Sequence, residues 1–201
     1  MRRTKGDTLK SQQRRRQIVE AAYAELAEVG FEGFRMRNVA RRAGLDHATL
    51  HHYFDGKAQI LVGVMEYIVE DRSIGSFATL AQVPPDQRLG AHVETLLSQM
   101  RTNPEMFIVI AEIGLRALRD ADIRRVKATF DAEWRTFLIR IVRAAIDAGA
   151  FRDDIVPETA AELIMSVVRG AYFTFDGDAD ASVPLFELLI RSFQAEGLRR
   201  K

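Results

Sequence analysis

Residues 34–54 read FRMRNVARRAGLDHATLHHYF, and they decide the fold because they describe two short helices joined by a tight glycine turn. Val39, Ala40 and Ala43 share one face of a first helix, and Gly44 supplies the permissive backbone that ends it. Asp46 stands where it can cap a second helix running through Thr49, Leu50 and Tyr53. Small side chains at Ala40, Ala43 and Ala48 let the two helices approach closely, as in a helix-turn-helix whose second helix reaches into the major groove. The other reading of the pattern is an ordinary helical hairpin.

Working outward, apolar residues recur at intervals of three and four, and no segment reads as a strand. A first helix is predicted from Ser11 to Val29, with Ile18, Ala22, Leu26 and Val29 as its buried stripe, Arg14, Arg15 and Arg16 at its exposed start and Gly30 past its end. Phe31 and Phe34 then fill the small core of a three-helix unit that closes at Phe54. A fourth helix is predicted from Lys57 to Phe77, rich in Ile60, Leu61, Val64, Met65 and Ile68. Pro84-Pro85 and Asn103-Pro104 break the chain, and Asp86 is placed to cap the helix between them, which runs through Met100. Further helices are predicted over Glu105–Arg119, Asp122–Ala148, Pro157–Phe175 and Val183–Ala195. The expected fold is all-α with about nine helices: a helix-turn-helix domain over residues 1–56 and a second helical domain over 57–201.

Composition agrees with a globular chain: 201 residues, 47% hydrophobic and 28% charged, with no apolar run long enough for a membrane. Cysteine is absent and the basic N-terminus lacks the apolar stretch of a secretory signal, so a cytoplasmic location is expected. The formal net charge of +1 hides an asymmetry. Up to Lys57 there are 12 Lys and Arg against 7 Asp and Glu, whereas the remainder holds 17 against 21. A basic head on an acidic body suits a polyanion that meets the head alone.

Several features of residues 17–68 resemble the DNA-binding region of the tetracycline-repressor (TetR) family. They are Ala21-Ala22, Gly30-Phe31, Met36-Arg37-Asn38-Val39-Ala40, Ala43-Gly44-Leu45 and Thr49-Leu50-His51-His52-Tyr53-Phe54 followed by Lys57. The remainder resembles the family in architecture only. Three positions depart from the family pattern. Arg35 stands where a Ser or Thr cap is usual, His51 where an aromatic is usual, and Ala58 where Glu is usual beside Lys57. Either solvent and Phe34 offset a weaker cap at Arg35, or its guanidinium meets a phosphate, which is the reading preferred here.

The resemblance implies that the second reader helix enters the major groove of a double-stranded operator. His47 and Thr49 are then expected at base edges or phosphate, Ala48 at a thymine methyl, and His51, His52, Tyr53 and Lys57 mainly at the backbone, with Arg37 also on phosphate. Leu50 and Phe54 are assigned to the core. Although His47 and His51 stand at i and i+4, no third ligand accompanies them, so neither a metal nor any cofactor is expected.

No nucleophile motif or phosphate-cradling glycine loop occurs, so an enzyme is not expected. Glu112, inside an apolar helix, is expected to pair with Arg116 one turn later. In the family the central helices surround an effector cavity. The corresponding apolar wall would include Met65, Met100, Met106, Phe107, Ile110, Phe130, Trp134, Phe137 and Met165, with His92, Gln99, Arg169 and Tyr172 as polar selectors for a small, partly hydrophobic effector. The last two helices carry more apolar surface than one domain needs. Leu163, Val167, Gly170, Ala171 and Thr174, with Leu185, Leu189 and Phe193, are therefore expected at a homodimer interface. Together these readings describe a ligand-responsive regulator, in the main a repressor, in which the effector shifts the fourth helix. The alternative is a helical small-molecule binder with a vestigial helix-turn-helix.

Overall fold

The computed structural model describes residues 5–71 and 80–195. Their elements are helical throughout: α1 (Lys5–Gly33), α2 (Met36–Arg42), α3 (His47–Tyr53), α4 (Lys57–Asp71), a 3-10 turn at Pro85–Gln87, α5 (Arg88–Thr102), α6 (Pro104–Ala117), α7 (Ala121–Asp147), α8 (Pro157–Thr174) and α9 (Ala179–Phe193). Among the described residues the only β-type pairing is an isolated bridge between Phe151 and Gln194. The expected continuation of the fourth helix to Phe77 lies outside the described residues.

Three element starts differ from expectation, the first being α1, which begins at Lys5 rather than Ser11. Asp86 falls inside the 3-10 turn and caps nothing, so α5 begins at Arg88. The last helix begins four residues before the expected Val183, because the Asp178 carboxylate accepts the Asp180 and Ala181 amides at 2.9 and 3.1 Å and starts a helix that runs on through Pro184.

The chain divides into two compact units, residues 5–71 with 108–128 and residues 80–107 with 129–195. This division puts α4 with the three N-terminal helices rather than at the head of the second domain. The physical reason is direct packing: α1 and α4 lie against each other, and Ile60, Leu61, Val64 and Ile68 are fully buried.

In the first unit, Ile18, Ala22 and Leu26 of α1 are fully buried, as expected, but Val29 is 41% exposed. The buried stripe ends at Leu26, one turn before Gly30, whose φ of 63° and ψ of −178° break the helical geometry. From that joint, Phe31 and Phe34 turn into a core that also holds Val39, Ala40, Leu50 and Phe54. A buried ionic group stitches α2 to α1. Glu25, 2% exposed, accepts Asn38 Nδ2 at 2.8 Å and Arg42 Nε at 2.7 Å. Burial would raise the Glu25 carboxyl, but the hydrogen bonds from Arg42 and Asn38 outweigh it and hold it below the ordinary carboxylate range.

In the second unit, α9 packs on both α5 and α8. The interior is built from Leu89, Val93, Leu96 and Leu97 of α5, Leu138, Ile141 and Val142 of α7, and Phe186, Leu189 and Phe193 of α9. The end of α9 is tied to the linker between α7 and α8 by Arg152 N–H donating to the Phe193 carbonyl at 3.0 Å.

Candidate nucleic-acid interface

The turn between α2 and α3 is built from backbone bonds. Gly44, at φ 66°, follows the end of α2; its amide meets the Arg41 carbonyl at 3.1 Å and the Leu45 amide meets the Ala40 carbonyl at 2.9 Å. This pair of bonds closes the helix and needs a residue free to take a left-handed conformation. Asp46 then accepts the Thr49 amide at 2.7 Å and the Thr49 hydroxyl at 2.9 Å. These hydrogen bonds hold the exposed Asp46 carboxyl below its usual range. Thr49 therefore keeps only its oxygen lone pairs for a further partner.

α3 buries one side and presents the other. Leu50 is fully buried and Phe54 is 1% exposed, while His47, Ala48, His51 and His52 are exposed and Tyr53 is half-buried. The His47 and His51 rings stand edge to face at 4.5 Å, and no metal-ligating group of three or more residues occurs among the described residues. Arg15 pins the C-terminal end of α3, donating to the Tyr53 carbonyl at 3.1 Å with its guanidinium 4.2 Å from the Phe54 ring centroid.

Two residues expected at phosphate make contacts within the protein. Lys57 turns inward: its Nζ lies 3.6 Å from the Phe31 ring centroid and donates to the Phe31 carbonyl at 3.3 Å. Burial, reinforced by Arg116 and Arg35, lowers its pKa. Arg35 provides no side-chain cap for α2; its guanidinium donates to the Glu32 and Phe34 carbonyls at 2.7 and 3.0 Å. Arg37 is exposed on α2.

The structure also brings α1 to this face. Lys10, Ser11, Gln13, Arg14 and Gln17 line, with Thr49, His52 and Tyr53, a concavity of about 610 Å³. A second hollow of about 520 Å³ joins Arg14 and Gln17 to Glu20, Ala21, Ala24, Arg42 and Ala43. The only sequence sign of this shelf was the basic N-terminal charge.

With this geometry in view, residues 18–64 match the family model for bacterial regulatory proteins of the tetR family, and residues 85–181 match that for the C-terminal region of BetI-type transcriptional repressors. The chain belongs to the TetR family of transcriptional regulators. Its α2–α3 pair lies within the residues 18–64 that match the tetR-family model. The chain is 26% identical to the regulator BetI of Rhizobium meliloti over 160 residues, 79% of this chain and 76% of that protein. It is 34% identical to the regulator PksA of Bacillus subtilis over 124 residues, 60% of this chain and 57% of that protein. The match to BetI of Agrobacterium fabrum is 27% identical over 127 residues, 63% of this chain and 62% of that protein. A TetR regulator from Haloarcula marismortui shares the fold at TM-score 0.79 and 20% identity, covering 92% of this chain and all of that one. A regulator from Saccharomonospora viridis, solved in complex with choline, does so at 0.74 and 21%, covering 90% and 95%.

In this TetR-family chain the second unit gathers most of the expected effector residues; Met65 and Ile110 instead belong to the first unit. Trp134 Nε1 donates to His92 Nε2 at 3.1 Å, and Phe137 meets the His92 ring edge to face at 4.9 Å. Burial drives the His92 pKa down to about 4, which keeps the imidazole neutral and able to accept that bond. Arg169 donates to Asp131 at 2.6 Å and lies 5.6 Å from the Trp134 ring centroid. Tyr172 stacks on Phe107 at 5.3 Å, and burial raises its pKa. Gln99 accepts Asn103 Nδ2 at 2.9 Å, while Met100, Met106, Phe130 and Met165 are buried.

The expected dimer set divides by exposure. Ala171, Leu189 and Phe193 are 1%, 6% and 5% exposed and serve the protomer's own core, Phe193 lying against Phe151 at 5.7 Å. Leu163, Gly170 and Thr174 are exposed, and Val167 and Leu185 are half-buried. Phe173 and Leu188, each 60% exposed, complete the outer apolar face and were absent from the expectation.

Proposed function

We propose that the regulator binds a near-palindromic DNA operator as a homodimer and that a small effector alters that binding. The observation that carries this reading is α3 itself. Its apolar side is locked into the core by Leu50, while its polar tips face outward beside the cationic shelf of α1. Phosphate is held by Lys10 and Arg14 together with the exposed histidines, and base edges are met from His47, Ala48 and Thr49. Replacing Lys10 and Arg14 together by Ala is expected to reduce the slope of log affinity against log salt by about two. The measurement is duplex binding across a salt series; an unchanged slope would remove α1 from the interface.

Dimerisation uses the outer face of α8 and α9. Leu163, Phe173 and Leu188 expose apolar surface that a second copy would cover. Sedimentation should show a dimer at micromolar concentration and a monomer for the double variant Phe173→Glu, Leu188→Glu. A monomeric wild type would contradict the proposal.

The effector proposed for the second unit is small and partly apolar, seated by Trp134, Tyr172, Met100 and Met165. A quaternary ammonium such as the choline of the Saccharomonospora regulator would compete with Arg169 for the Trp134 ring. We read the protein as a cytoplasmic repressor rather than an enzyme. No described helix is long and apolar enough to cross a membrane.

A further inference from the structure

The carboxylate of Glu112, expected to pair with Arg116, instead accepts the Phe31 backbone N–H at 2.8 Å, across 81 residues of chain. It lies so close to the Gly30–Phe31 joint that a Cβ on Gly30 would stand 3.1 Å from its Oε1. Arg116 turns elsewhere, to Asp120 at 3.5 Å and Glu32 at 3.9 Å, with its guanidinium 5.1 Å from the Phe31 ring centroid. On the other side of the same residue, Lys57 donates to the Phe31 carbonyl and covers its ring. Thus α6 holds the amide of Phe31 while α4 holds its carbonyl, at the one residue step where α1 loses helical geometry.

We propose that Glu112 and Lys57 are positioning residues for DNA binding, which fix the Gly30–Phe31 joint and with it the pitch at which α2 and α3 leave α1. This rests on the DNA-binding reading above. A charge-assisted hydrogen bond to a backbone amide is short-ranged and directional, so it sets an angle in a way that apolar packing on Phe31 alone does not. Neither side chain needs to touch DNA for this role.

The test uses the full chain and a duplex enriched from a random pool, with a scrambled duplex as control. Glu112→Ala is expected to weaken binding to the enriched duplex about tenfold, the scale of one lost charged hydrogen bond, while leaving the scramble within about twofold. Removing a negative charge would by itself strengthen binding to DNA, so a selective loss reports position rather than charge. Glu112→Gln keeps an acceptor and should recover most of the affinity, and the Phe31 amide should exchange faster in Glu112→Ala than in wild type. If Glu112→Ala melts below the assay temperature, Glu112→Asp, one methylene too short but still charged, takes its place with the same expectation. Wild-type discrimination in the substituted protein would overturn the proposal. Failure of the wild type itself to discriminate the two duplexes would overturn the DNA-binding reading on which it rests.

Discussion

Ala48→Glu is expected to weaken operator binding about a hundredfold or more, close to 3 kcal/mol, because it sets a carboxylate against the DNA phosphates and base acceptors that α3 approaches. Folding should be unaffected. Ala48 is exposed, and it occupies the first turn of α3, where an acidic side chain is favoured by the helix dipole. The melting temperature should therefore stay within the equivalent of about 0.5 kcal/mol of wild type. Ala48→Gln adds the same bulk without charge and should lose less, which separates repulsion from steric exclusion. Titration of both variants against the enriched duplex checks this; equal affinity in Ala48→Glu and wild type would mean that this face of α3 does not meet DNA.

The largest stability effect is expected at Glu25. Glu25→Ala leaves Asn38 without its acceptor and Arg42 with only the exposed Glu28 carboxylate, and should cost about 2–3 kcal/mol in thermal or urea unfolding. By contrast, Arg16→Ala removes an exposed pair with Glu20 and should change stability by about 0.5 kcal/mol or less. The carboxyl also makes the domain acid-sensitive in a defined direction. Its folded pKa lies below the ordinary value of 4.5, so its contribution is present above that pH and is lost as pH falls through the lowered folded value. Wild type and Glu25→Ala should accordingly converge in stability on acidification; a difference that persisted unchanged well below pH 4 would contradict this assignment.

The helix-turn-helix was legible because its determinants are local. Gly44 and Asp46 act on backbone groups within a few residues, and Leu50 and Phe54 follow from helical spacing. What escaped the sequence depends on tertiary neighbours. Glu25 reads as one more surface acid until α2 swings Asn38 and Arg42 over it, 13 and 17 residues later. Glu112 finds a partner 81 residues away rather than four, and Lys57 lies over the Phe31 ring, 26 residues back along the chain. On α9 apolar residues occupy more than one face, so a choice of Leu189 rather than Leu188, a rotation of one helical position, exchanged core for surface. The neighbour of the α1 shelf was not legible for a related reason: basic residues at a helix start mark a surface, but not which other helix it adjoins.

Selection of duplexes from a random pool by the purified protein, followed by binding of the enriched sequence and its scramble at one salt concentration, tests the central claim most directly. An operator-binding homodimer should enrich an inverted repeat whose half-sites are about one or more helical turns apart and bind it far more tightly than the scramble. Enrichment of no sequence, or equal binding to the recovered duplex and its scramble, would contradict that claim.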